Sequence, residues 1–194
     1  MIKNIVVLLA IAWIQTELKA QSTCYLPTPA GWESETFTFP IGFAPGIPFT
    51  GREEVRFSPG WGDTKSDELW SYCFVWWIKK DSKLDAQLLK KYLEEYYGGL
   101  VESNIESRKI DQAKVIPTVA SFRENKEVPH SYRGTVTMLD YMSERSITLG
   151  ISVHQQDCAA TGYKAVFFAI SPQPETHLIW QAMAKVWQGF QCTR

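Results

Sequence analysis

Between positions 69 and 78 the chain reads Leu-Trp-Ser-Tyr-Cys-Phe-Val-Trp-Trp-Ile, apolar on both of its alternating sets. Trp70, Tyr72, Phe74, Trp76 and Ile78 fall on one side of an extended chain, and Leu69, Ser71, Cys73, Val75 and Trp77 on the other. A strand that is apolar on both faces is a central one, covered from both sides. Lys79-Lys80-Asp81 ends the run. Ser82 and Asp85 then have the spacing of a capping box, and Leu84, Leu88, Leu89, Tyr92, Leu93 and Tyr96 make a stripe at helical spacing. Gly98-Gly99 is expected to end this helix by supplying the left-handed cap position.

The second half of the chain changes period. Val115–Phe122 predicts a strand restricted by Pro117 to an edge or to its first positions. Tyr132–Tyr141 places Thr135, Thr137, Leu139 and Tyr141 on one side, with Val136 and Met138 opposite. After a hairpin connection at Ser143-Glu-Arg145, Ile147, Leu149, Ile151 and Val153 alternate with Thr148, Gly150, Ser152 and His154. That alternation belongs to a sheet with one covered face. Tyr163–Ile170 is almost continuously apolar and reads as a second central strand. Pro172 or Pro174 is expected to open the last helix, buried through Leu178, Ile179, Ala182, Met183, Val186 and Phe190.

Ahead of these elements, residues 24–53 are rich in Pro, Gly and aromatics. Pro27, Pro29, Pro40, Pro45 and Pro48 forbid a helix, while Thr36–Phe39 and Glu53–Phe57 can be short extended pieces. Phe37, Phe39, Phe43 and Phe49 anchor the stretch as a wrap around a core. The fold class is therefore α+β, a mostly antiparallel twisted sheet packed by two helices, in the order ββ-α-(β)βββ-α. Covering both faces of the 69–78 strand calls for a third layer, made either by the other helix, as in an α/β/α sandwich, or by the N-terminal wrap.

The extreme N-terminus adds a location. Lys3, an apolar run from Ile5 to Ile14 and a small residue at Ala20 have the form of a secretory signal peptide over residues 1–20, its core too short to span a membrane. Residues 21–194 then form one globular domain, secreted or periplasmic, without a further transmembrane anchor. The net charge stays within a few units of zero, with no basic block, so nucleic acid is not a partner. In an oxidising compartment the four cysteines imply at least one disulfide. Cys158 at a turn and Cys192 past the last helix are the preferred pair; Cys24 with either is the fallback, and Cys73 suits a buried thiol.

Element order resembles the α/β/α sandwich of the PsbP and Mog1 group. Phe39-Pro-Ile-Gly-Phe43, Phe57-Ser-Pro-Gly-Trp-Gly-Asp63, Trp70-Ser-Tyr72 and Phe168-Ala-Ile-Ser-Pro172 with Trp180 resemble a family of uncharacterised secreted proteins of Bacteroidota. That resemblance implies secretion and brings no activity with it.

The chemistry on offer is sparse. Gly60–Trp70 sets Trp61 beside Asp63, Asp67 and Glu68, a flat aromatic among carboxylates that would suit a sugar or a cationic ligand. The structural alternative is that glycine and aspartate make turns while Trp61 caps the core. His130, His154 and His177 are far apart and fall in no catalytic signature. Cys73 on an apolar strand lacks the base that a nucleophile needs. Nucleophile-elbow, phosphate-loop and metalloprotease motifs are absent, as is close Cys or His spacing for a metal, so no catalytic residue, metal or cofactor is assigned. The function expected is a non-enzymatic binding or envelope-associated domain whose partner is a glycan, a small ligand or an envelope protein. The alternative is a hydrolase of envelope or dietary polymers using carboxylates that the fold brings together.

Overall fold

The computed structural model describes residues 25–192, so the expected signal peptide and Cys24 lie outside the described residues. Seven strands form one antiparallel sheet: β1 (Glu33–Thr38), β2 (Gly51–Phe57), β3 (Tyr72–Lys79), β4 (Val119–Glu124), β5 (Ser131–Asp140), β6 (Arg145–Cys158) and β7 (Tyr163–Ser171). Their spatial order is β1-β2-β3-β7-β6-β5-β4. Helix α1 (Ala86–Arg108) follows β3, and α2 (Leu178–Gln188) follows β7. Three strands, not two, precede the first helix, because Glu33–Thr38 and Gly51–Phe57 pair fully before reaching β3.

The two-faced strand reads as expected. Tyr72, Phe74, Trp76 and Ile78 join the core under α1, together with Leu89, Tyr92, Leu93, Tyr96 and Tyr97. Cys73, Val75 and Trp77 join the smaller core under α2, with Ile179, Met183 and Val186. The central strand is thus sealed by one helix on each face. The strand starts at Tyr72 because Trp70 stands in a left-handed conformation (φ 56°), where a bulky side chain is a backbone outlier. A bond from Trp70 Nε1 to buried Asp140 (2.8 Å) anchors it.

Four local expectations are corrected. Asp85, not Ser82, caps α1, its Oδ1 accepting from the N–H groups of Gln87 and Leu88. The helix does not stop at Gly98-Gly99 but runs to Arg108, where Lys109 takes the left-handed position. Gly99 serves a close approach instead: a Cβ there would overlap the carbonyl oxygen of Phe43, in the wrap that crosses the helix. Gly99→Ala should therefore destabilise the fold by about 1–3 kcal/mol through overpacking, read from a denaturant midpoint. An unchanged midpoint would show that the wrap yields freely. The last helix is capped by His177 rather than opened by a proline, and Leu178 is 72% exposed instead of buried.

Cys158 and Cys192 form a disulfide, with Cα atoms 5.4 Å apart, while Cys73 is a buried free thiol. Burial pushes its thiol strongly up, away from the thiolate a nucleophile requires. Among the described residues no helix is long and apolar enough to cross a membrane.

Candidate ligand-binding groove

A helix about 10 Å across covers roughly two strands spaced about 4.8 Å apart. Helix α1, about 35 Å long by its 23 residues, lies over the sheet face that carries Val136, Met138, Leu149, Ile151 and Val153. Helix α2 has 11 residues and seats on β7 and β3, leaving the same face of β6, β5 and β4 uncovered. The strand sequences match that division. On the α2 side β5 presents Arg133 and Thr135, and β6 presents Gly150, Ser152 and His154. An open groove of about 700 Å³ results, within the range of small-molecule sites.

One wall is aromatic. Trp180 and Trp187, seven residues apart on α2, both line the groove and are half-buried. Trp180 Nε1 donates to the carbonyl of Gln173 (3.0 Å), and its ring lies against Gly150, where the floor carries no side chain. Trp187 stacks with Phe167 (5.1 Å) and with Phe190 (5.0 Å), and His154 is 6.2 Å away and nearly parallel. Both indoles are therefore held in place before any ligand arrives.

The opposite lip is basic. Arg123 and Arg133 are direct cross-strand partners on β4 and β5, and the row continues inward through Ser152 to Ala169. Arg133 forms an ion pair with Glu175, from the loop before α2. Burial, together with the Arg133 charge, holds the His154 imidazole below its usual value, so the ring is neutral at neutral pH. Hydroxyls of Ser121, Thr135 and Ser152 complete a polar floor.

The residues singled out at Gly60–Trp70 lie elsewhere. Trp61 is partly buried and stacks on Phe57 at 4.4 Å. Asp63 accepts from the N–H of Lys65, and Glu68 from that of Gly60, so both carboxylates stabilise their own loop. Asp67 is the member that reaches toward α2. Its carboxylate lies 3.4 Å from His177 Nε2, while its carbonyl accepts from Gln173 Nε2 (2.7 Å). The His177 Nδ1 accepts from the N–H of Ile179, which leaves Nε2 as the nitrogen that faces Asp67. Through Gln173 the loop braces the residue that holds Trp180, and none of the four lines the groove.

His154 is the one sequence-noted histidine that the fold brings into the groove. Arg123, Arg133, Trp180 and Trp187 were not marked as site residues by sequence reasoning. A signal existed: two tryptophans seven apart, beside rather than within the Ile179–Met183–Val186 stripe, facing strands whose polar set has no helix to cover it. Among the described residues no cluster of His, Cys, Asp or Glu is arranged to hold a metal ion. Comparison with protein-family models, with curated proteins and with solved structures finds no match to this chain.

Proposed function

We propose that this protein is a secreted or periplasmic, non-enzymatic binding domain, envelope-associated, with its ligand site in the groove between α2 and the open face of β4–β6. The observation that carries the reading is the pair of immobilised tryptophans set across a polar, hydroxyl-bearing floor from two arginines. Fixed aromatic faces lose little freedom on binding, and a few polar groups opposite them orient what is bound. The disulfide and the signal-like N-terminus support an oxidising location. A carboxylate-pair hydrolase would need two carboxyls about 5–9 Å apart. The groove contributes one, Glu175, already paired with Arg133.

The test is a screen of glycans, small ligands and envelope fractions against the chain purified from an oxidising compartment, with Trp180→Ala and Trp61→Ala as variants. Binding should fall at least about tenfold in Trp180→Ala, as for loss of an aromatic anchor, and persist in Trp61→Ala. Circular dichroism confirms that both remain folded. The reverse pattern would move the site to the Trp61 loop. Turnover of any polymer, abolished by Glu175→Gln, would make the protein an enzyme. Binding to nothing in the screen would remove the reading altogether.

A further inference from the structure

Like charges placed directly opposite each other on neighbouring strands destabilise a sheet. Arg123 and Arg133 are such a pair, on the same face and at the mouth of the same groove. Glu175 neutralises Arg133, but the Arg123 side chain has no ion-pair or hydrogen-bond partner among the described residues. With His154 neutral, the groove carries two positive charges against one negative. Two guanidiniums side by side match a carboxylate, sulfate or phosphate, whose oxygens accept paired N–H bonds.

Resting on the groove as the binding site, we infer that its ligand is an acidic sugar: a saccharide whose acid group lies between Arg123 and Arg133 and whose ring lies against Trp180. Flat indole faces accept the apolar face of a pyranose, while Ser121, Thr135 and Ser152 meet its hydroxyls. Glu175 acts as a built-in competitor. Its carboxylate sits on Arg133, where the ligand's acid would sit, and binding displaces it.

The inference is tested by calorimetry and tryptophan fluorescence, using oligogalacturonate against its methyl ester and a sulfated maltooligosaccharide against the unsulfated one. The acidic member of at least one pair should bind about tenfold or more tightly than its neutral counterpart, as charge-assisted bonds require. Arg123→Gln should abolish that preference with the fold intact, because Arg123 is exposed and holds nothing else. Glu175→Gln should tighten acid binding by about twofold to fivefold, the strength of an exposed ion pair, whereas a purely structural Glu175 would weaken or not change it. Equal binding of acid and neutral forms, or a preference that survives Arg123→Gln, overturns the acidic-sugar inference alone and leaves the groove as a neutral-glycan site. No binding of any probe overturns it as well. The groove itself fails separately, if envelope binding is insensitive to Trp180→Ala.

Discussion

Replacing Cys158 and Cys192 together by alanine should lower the stability by about 3–4 kcal/mol, the chain-entropy value for a bridge with a sequence separation of 34. The bridge joins the end of β6 to the residue past α2, so it closes a loop containing β7 and the whole of α2. The remaining attachment of that end is the mutual backbone bonding of Tyr25 and Gln191 (2.8 and 2.9 Å) and the small core beneath the helix. The loss should therefore be felt first by α2, and with it by the aromatic wall of the groove. Urea midpoints of the native and doubly substituted chains measure the global term, and the quenching of Trp180 and Trp187 by acrylamide measures the local one. A midpoint shifted by less than about 1 kcal/mol would show that the helix is held by packing alone.

Stability should also fall as pH rises from 4.5 to about 7, by up to about 3 kcal/mol, because of one buried carboxyl. Glu53 on β2 is fully buried beneath α1, with Oε1 accepting from the Tyr96 hydroxyl (2.9 Å) and Oε2 from Trp76 Nε1 (2.6 Å). Burial pushes its pKa up from 4.5 to about 7; the two hydrogen bonds oppose that rise, and Glu35 on β1 adds to it. The folded state then holds a proton that the unfolded chain releases. The stabilisation is complete below the unfolded value of 4.5, is lost through the interval up to about 7, and stays lost above it. At about 1.4 kcal/mol per pH unit, the interval gives the stated size.

His154 acts in the opposite sense, since its value is lowered and the unfolded chain takes up its proton first. Comparison of the native chain with Glu53→Gln separates the two. The glutamine oxygen can accept from Trp76, and its amide can donate to the Tyr96 oxygen, so the hydrogen bonds persist without ionisation. The difference between the two denaturation profiles should grow in favour of Glu53→Gln up to about pH 7 and then level. A difference independent of pH would mean that Glu53 titrates normally.

Much of the fold was legible because it depends on period. The alternation from Ile147 to Val153 places large apolar groups on one face, and the unbroken run of 72–78 demands cover on two. Those patterns imply an α+β sheet covered on both faces, whichever way the strands are connected, and the structure assigns one helix to each face. The Cys158–Cys192 pairing was legible for a related reason: a turn and a helix end are both surface positions in such a fold. Local signals misled where a residue serves a distant partner. Gly99 looks like a helix cap in a linear sequence, yet its smallness answers to Phe43, more than fifty positions earlier. Leu178 fits the hydrophobic stripe, yet it stands at the first position of the helix and is left exposed while Ile179 beside it is buried.

The candidate site depended almost wholly on tertiary structure. Residue types alone determined that this chain has tryptophans and arginines to spare, an apolar run from Ile5 to Ile14 behind Lys3, and none of the common catalytic motifs. Strand register decided that Arg123 faces Arg133, and a one-residue slip would have turned that arginine to the other face of the sheet. The shortness and seating of α2 decided that Trp180 and Trp187 overlook an open floor instead of a filled core. Asp63 and Glu68 beside Trp61 meanwhile went to the hydrogen bonds of their own loop, because backbone N–H groups lay within reach. Periodicity is a property of neighbours along the chain and survives any arrangement of elements. A binding groove is a property of the gap between elements, set by which of them fails to cover which, and no stretch of sequence contains that gap.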